Sequence, residues 1–361
     1  MTVGPLKKLL TFLNIQFIKV QKNIVEISWI KNPNLPFNFN TEEGAILIGA
    51  FLSDGTNTSR VMYKNSDMKM LEKVETSARK LLGNNITVDF RLSEYGVPMI
   101  FLPNIFGRAL SKIHVPRGKK VKINPHVPET IIDGDFRIQA SYLRQVFDDE
   151  SEVNVANRRI VLYRGVEVTD LLPKKFLTSL EIGKSYCLSK ISNCIRKILS
   201  TKPPNLLIGE SKILLKFGIN NRYKLRKIIF QKSGYATVIW NLTVSEKYNL
   251  KLFGEIIGFT MKSKNESFDK ILNSYTKRSC DFSIYLRILE SIKTEIEKKG
   301  FFQTKDITSA TGLSYNSVKK RINRLKRLNK VSIIEPGKYI VDENVRNRVD
   351  RQAIEWEKLL L

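Results

Sequence analysis

Two stretches of this chain end in the same way, and their pairing limits what it can fold into. LIGAFLSDG, Leu47 to Gly55, is an apolar and small-residue run that stops on an acid. YLRQVFDDE, Tyr142 to Glu150, does the same. Leu47, Phe51 and Asp54 fall at i, i+4 and i+7, one helical face; Leu143, Phe147 and Glu150 repeat that spacing 96 positions on. Gly49 and Ala50 form a small patch that lets another backbone approach. Two such helices packed side by side bring Asp54 and Glu150 together at their carboxyl ends. That end of a helix already carries partial negative charge and free carbonyls. Placing an acid there twice calls for compensation, and a divalent cation supplies it, since Mg²⁺ prefers carboxylate and carbonyl oxygens. The bland alternative, Asp-Gly starting a turn, explains neither the second acid nor the matched Leu and Phe.

The elements around these stretches also repeat. Thr41 caps a helix with Glu42 and Glu43 in its first turn, running to about Asp54. TNTSRVMYKN alternates as a strand region, SDMKMLEKVETSARKLLG is a helix closed by Gly83, ITVDFRL and VPMIFL are strands around SEYG, and NIFGRALSKI is a helix. The order begins again with a helix over 137–150 and a hairpin turning at Asn157–Arg158. Helices over roughly 184–199 and 209–217, a hairpin turning at Lys232–Gly234 and the helix LKLFGEIIGF follow. The pattern is a degenerate duplication of about 100 residues or more. The expected divisions are a lead-in over 1–40, repeats over 41–137 and 138–275, and a different domain over 281–361. In that last domain Ser283–Lys298 reads as a helix. TKDITSATGLS and YNSVKKRINRLKRLNKV read as helix-turn-helix around Gly312, and VSIIEPGKYIV as a hairpin at Pro336–Gly337. This is a winged helix-turn-helix pattern whose second helix carries Lys319, Lys320 and Arg324 among other cations; such a helix can enter a major groove.

Charge points the same way. The 361 residues carry 61 Lys and Arg against 35 Asp and Glu, a net +26 spread along the chain. Such a field draws polyanions, nucleic acid first and an acidic membrane surface second; a biased genome enriching Lys is the bland reading. Three cysteines, Cys187, Cys194 and Cys280, without a CxxC pair and far from His114 and His126, make a zinc site or a disulfide framework improbable. Cys187 and Cys194 are expected to share a buried helix face. No apolar run reaches 18 residues and the first residues do not read as a signal peptide. A soluble, cytoplasmic and nucleoid-associated protein is the expectation.

At these residues the chain resembles the LAGLIDADG (DOD-type) homing endonucleases, in their two-motif single-chain form. LIGAFLSDG is close to the first motif, and YLRQVFDDESEV looks like the usual second motif YLRGLFDADGSV. LFGEIIGFTMKSKNESFDKIL, Leu252 to Leu272, is similar to the closing block; the resemblance covers roughly 40–275. It implies an α+β, pseudo-twofold αββαββα fold whose two sheets form a DNA saddle. It implies that the seam acids bind Mg²⁺ or Mn²⁺ and cut both strands of double-stranded DNA. Asp54 and Glu150 take the acid roles, with Ser53 and Asp149 beside them as further metal ligands. Lys264 matches the lysine near the active site, and Lys119 or Lys120 is its first-repeat equivalent. Ordinary surface charge is the alternative for these lysines. Base readout is expected from saddle side chains such as Asn57, Ser59, Arg60, Tyr63, Arg91, Asn154, Arg158, Lys224, Arg226 and Gln231. Two repeats in one chain imply a monomer without a membrane partner.

The departures are Gln145 for Gly, expected to loosen the seam, Ser151 for the Gly after the acid, and Leu52 for Asp. They bear on cleavage rather than on fold. A non-cleaving transcription regulator is the alternative: the WhiA-type regulators resemble this layout. A maturase-like RNA binder ranks last, because nothing here specifies 2′-hydroxyl recognition. Intein splicing finds no nucleophile at residue 1 and no terminal His-Asn pair.

Overall fold

In the computed structural model the first helix, α1 (Glu42–Leu52), begins where the Thr41 side chain accepts the Gly44 amide, and Glu42 and Glu43 meet its positive end. The structure describes residues 12, 16, 19–20, 23–28, 30–276, 279–327 and 330–341. The first residues of the basic lead-in, the end of the expected second helix of the helix-turn-helix and the last twenty residues lie outside them. The chain divides into two compact units, with the boundary between Leu272 and Asn273.

Among the described residues the first unit holds two larger antiparallel sheets, each preceded in the chain by a helix. After α1 come β1 (Thr56–Asn57), β2 (Val61–Lys64), α2 (Met68–Leu82), β3 (Asp89–Leu92), β4 (Pro98–Leu102) and α3 (Asn104–Lys112). Asp67 caps α2 through its side chain, and Gly83, at φ 125, ends it. Two one-turn helices, Lys120–Ile123 and Glu129–Ile132, lead to α4 (Phe136–Glu150), whose cap Asp135 accepts the amides of Arg137 and Ile138. Then follow β5 (Ser151–Asn154), β6 (Arg159–Glu167), β7 (Ser185–Cys187), α5 (Asn193–Ser200), α6 (Asn205–Lys216), β8 (Asn221–Phe230), β9 (Ala236–Ser245), α7 (Lys247–Ile256) and α8 (Lys262–Thr276). The first sheet runs β1–β2–β4–β3 and the second β5–β6–β9–β8–β7, antiparallel throughout. Leaving out the edge strand β7, both sheets have one strand order.

Period-two alternation assigns the faces. Val61, Tyr63, Ile100 and Leu102 of the first sheet are buried towards the helices, while Lys64, Asp89 and Arg91 on the other parity are exposed. In the second sheet Ile160, Leu162, Val166, Leu242 and Val244 are buried. Register places Lys224, Asn241 and Tyr163 in one cross-strand row on the opposite face.

The helix expected over 184–199 does not form as such. Ser185–Cys187 pair with Ile229–Lys227 along the edge of β8, a 3-10 turn follows, and α5 begins only at Asn193. Backbone groups at a bare sheet edge seek a ladder, which outweighs the local helical pattern. Cys187 and Cys194 are both exposed, not on a buried helix face.

In the second unit α9 (Ser279–Lys299) precedes β10 (Phe302–Gln303), α10 (Thr304–Thr311), α11 (Tyr315–Arg327), β11 (Val331–Glu335) and β12 (Lys338–Val341). Its core includes Ile288, Phe302, Ile307, Val318 and Ile322. Gly312, at φ 67, closes α10 in the left-handed region that glycine tolerates. The three strands are ordered β10–β12–β11. Among the described residues no helix is long and apolar enough to cross a membrane.

Candidate active site at the helix seam

The seam is made by α1 and α4. A Cβ on Gly49 would stand 3.1 Å from both the Gln145 Cβ and the Tyr142 carbonyl oxygen, so only glycine permits this approach without a shift. Gln145 fills the space. It is fully buried, and its Nε2 donates to the Tyr63 hydroxyl at 3.2 Å and to Asp149 Oδ2 at 3.0 Å. The seam is therefore not loosened by Gln145: one half supplies the missing side chain and the other the larger one.

Both helix ends are met by a lysine. Lys120 Nζ donates to the carbonyls of Ser53, Gly55 (2.9 Å) and Phe51 (3.4 Å) at the end of α1. Lys264 Nζ donates to the carbonyls of Asp148 and Phe147 (3.0 Å) at the end of α4. A cation at a helix carboxyl end offsets the dipole, so a metal is not the sole compensation there. Burial pulls the Lys120 ammonium down to about 8, against the opposing charge of Glu150. It lowers Lys264 in the same direction, against Asp148 and Asp149.

The four acids at the seam differ sharply in what they touch. Asp54 lies just past α1 and lines a cleft of 510 Å³ with Lys64, Asn65, Asp149 and Lys264. Its carboxylate has no hydrogen-bond or ion-pair partner among the described residues. Burial, then the Glu150 charge, push its pKa up to about 6. Glu150 is paired through Oε1 with Arg164 Nη1 at 3.3 Å. Arg164 is buried. Its Nη2 meets Glu210 Oε1 at 2.6 Å, and it also donates to the Leu52 carbonyl (3.1 Å) and to Ser53 Oγ (3.4 Å). Asp149 accepts from Tyr63 (2.7 Å), Asn65 (3.2 Å) and Gln145 (3.0 Å). Burial and then the Asp54 charge push its pKa up to about 8. Asp148 is buried and holds the amides of Thr260 (2.9 Å) and Met261 (3.1 Å), with Lys73 at 3.6 Å. It thereby anchors the start of α8, the helix that carries Lys264.

The structure thus brings Asp54, Asp149, Glu150, Lys120 and Lys264 to one seam. Ser53 and Asp149 have their oxygens engaged by protein donors, which leaves Asp54 and one oxygen of Glu150 for a ligand. Among the described residues no group of three or more His, Cys, Asp or Glu could hold a metal ion. Arg164 and Asp148 were missed in the sequence. The available signal for Arg164 was a lone charge at the buried parity, two residues from Leu162 and two from Val166.

The expected base-reading residues divide. Asn57 and Tyr63 are buried and are not on the open face. Asn57 donates to the Gly107 carbonyl at 3.1 Å, and Tyr63 holds Asp149. The parity of β1 and β2 turns both towards the helices. Arg60, Arg91, Lys224 and Arg226 are exposed, and Arg158 is half-buried. Arg158 sits at φ 48 in the β5–β6 turn. Arg91 pairs with Asp89 at 3.5 Å, and Arg226 lies over the Tyr163 ring at 4.8 Å. Lys319, Lys320 and Arg324 are exposed on α11, with Lys319 5.6 Å from the Tyr315 ring centroid.

No family model matches the chain, and no curated protein matches it. Solved structures similar to it include the homing endonuclease I-DmoI in complex with DNA and calcium, at 11% identity and TM-score 0.37, covering 64% of this chain and 99% of that one. Full-length WhiA from Thermatoga maritima is similar at 12% identity and TM-score 0.35, over 82% of this chain and 93% of that one. The homing endonuclease I-WcaI bound to its DNA recognition sequence is similar at 13% identity and TM-score 0.32, over 71% and 93%.

Proposed function

We propose that the chain is a monomeric, site-specific endonuclease that hydrolyses phosphodiesters of double-stranded DNA with Mg²⁺ or Mn²⁺. Its scaffold is a duplicated LAGLIDADG-like fold, followed by a winged helix-turn-helix that adds target affinity. One observation carries the reading. The Asp54 carboxylate is held at a helix end, half-buried and without a hydrogen-bond or ion-pair partner among the described residues, in a cleft that also presents Lys64 and Lys264. A fold maintained for stability alone would pair that carboxylate or replace it.

The donor set fits an open Mg²⁺ site. Mg²⁺ is commonly held by one or two carboxylates, with waters and substrate phosphate completing its shell. Asp54 and the free oxygen of Glu150 are the two candidate donors. When bound, the metal supplies charge neutralisation at the phosphate and activation of water. The chain's own residues do the rest. Lys64 and Lys264 draw a phosphodiester into the cleft by charge, while Lys120 and Lys264 hold the carbonyls of the two helix ends. Arg60, Arg91, Lys224 and Arg226 meet the DNA from the strands and their turns, and Lys319, Lys320 and Arg324 meet it from α11.

The test is strand cleavage. Duplex DNA spanning the insertion site of its gene is incubated with protein and Mg²⁺. Wild-type protein is expected to cut it, and Asp54→Asn to bind it while losing on the order of 10³-fold in rate, the equivalent of several kcal/mol of metal-borne stabilisation. A second reading, a WhiA-like regulator that binds without cutting, is favoured by Arg164, which already pairs with Glu150. Bound but intact DNA in Mg²⁺ supports that reading instead.

A further inference from the structure

We infer that the two halves of the seam are chemically unequal: on the Glu150 side the Arg164 guanidinium stands in for a divalent cation, so the chain holds one catalytic metal, at Asp54. The inference rests on the endonuclease reading and deepens it.

Strand register identifies the counterpart of Arg164. In the first sheet Thr56 faces Met62 and Asn57 faces Val61. In the second Glu152 faces Val161 and Val153 faces Ile160. Asp54 precedes Thr56 as Glu150 precedes Glu152, so Val61 corresponds to Ile160 and Asn65 to Arg164. The contacts agree with this correspondence. Asn65 Nδ2 reaches Asp149 at 3.2 Å, and Arg164 reaches Ser53 Oγ at 3.4 Å; Ser53 and Asp149 are equivalent positions at the two helix ends. Each sheet thus touches the helix end of the other half, once through a neutral amide and once through a cation.

That difference decides what each side still lacks. Arg164 uses Nε and Nη2 on Glu210 and directs Nη1 at Glu150 Oε1 (3.3 Å) and the Leu52 carbonyl (3.1 Å). A carboxylate and a helix-end carbonyl are also the oxygens a hard cation seeks. Opposite Asp54 stands the uncharged Asn65, so the Asp54 side has no such fixed charge at the equivalent position. Space follows charge: the cleft lined by Asp54 measures 510 Å³, and the one lined by Glu150, Arg164 and Lys120 measures 230 Å³. A guanidinium cannot activate water as a metal does. The strand lying over Asp54 is therefore cut first, and the other slowly.

The test is an electron paramagnetic resonance titration of the full chain with MnCl₂, alongside strand-resolved cleavage of an end-labelled duplex. One bound Mn²⁺ is expected, lost in Asp54→Asn and at most weakened in Glu150→Gln, which removes only the second donor oxygen, with one strand nicked at least about 10-fold faster, or about 1.4 kcal/mol. Two bound Mn²⁺, or one that survives Asp54→Asn and is lost in Glu150→Gln, overturns the inference and leaves the endonuclease reading in place. No bound Mn²⁺ overturns the metal site of that reading itself. Arg164→Gln alone strands the buried Glu210 carboxylate, so the informative variant is Arg164→Gln with Glu210→Gln. It should gain a second Mn²⁺, and failure of the folded double variant to do so refutes the role given to Arg164. If that variant does not fold, the Asp54→Asn and Glu150→Gln series still decides.

Discussion

Asp54 is an acid kept at a position that works against its ionisation. Its pKa stands at about 6 in the folded chain against 3.8 as a free side chain. A carboxyl raised in this way contributes stability that is fully present below 3.8 and is lost as pH rises through 6. The gap corresponds to about 3 kcal/mol. Asp54→Asn should therefore shift the urea midpoint upwards at pH 7.5 and leave it unchanged near pH 3, as far as the fold persists there. An equal midpoint at pH 7.5 would mean that the carboxylate is better solvated than its surroundings imply. Cation binding and cleavage need the ionised form, so both should fall as the buffer is taken below about 6, read as Mn²⁺ affinity against pH. At this scale the acids and lysines were legible, because helical spacing and block order fix where they fall. Asn57 and Tyr63 were not, because a strand's register decides which parity faces the helices, and a one-residue change of register exchanges the faces.

At the scale of elements, the seam joins a glycine on one helix to a fully buried glutamine on the other. Gly49→Ala places a methyl 3.1 Å from the Tyr142 carbonyl and the Gln145 Cβ, and a backbone atom cannot rotate away. A cost of about 1–3 kcal/mol follows, the usual range for overpacking, seen as a lower urea midpoint. Gln145→Gly removes two of the crowding atoms but also two hydrogen bonds to Tyr63 and Asp149. The double variant should therefore recover only part of the loss, and a double-mutant cycle should report favourable coupling. Strict additivity would mean that the two positions do not share this space. The helix order, caps and hairpins were readable from local signals such as Thr41, Gly83 and Gly312. The stretch 184–199 was not, because only the bare edge of β8, formed by residues about forty positions later, makes Ser185–Cys187 a strand.

At the scale of the whole molecule, the excess of 61 basic over 35 acidic residues is legible without any fold, and it constrains the partner more than the site does. Lysine and arginine on phosphates release counterions, and log affinity then falls with log salt by about 0.9 for each contact on duplex DNA. Lys319, Lys320 and Arg324 are exposed on one helix of the second unit, while Arg60, Arg91, Lys224 and Arg226 belong to the first. If both units grip one duplex, Lys319→Ala/Lys320→Ala/Arg324→Ala should lower the salt slope by about 0.9 per lost phosphate contact and weaken binding at every sequence alike. Charges on a helix that only faces water would leave the slope where it was, with affinity carried by the sheets alone. A loss confined to one target sequence would instead mean that α11 reads bases. The slope therefore separates a helix that grips the backbone from one that reads sequence and from one that does neither, without requiring that the chain cut DNA.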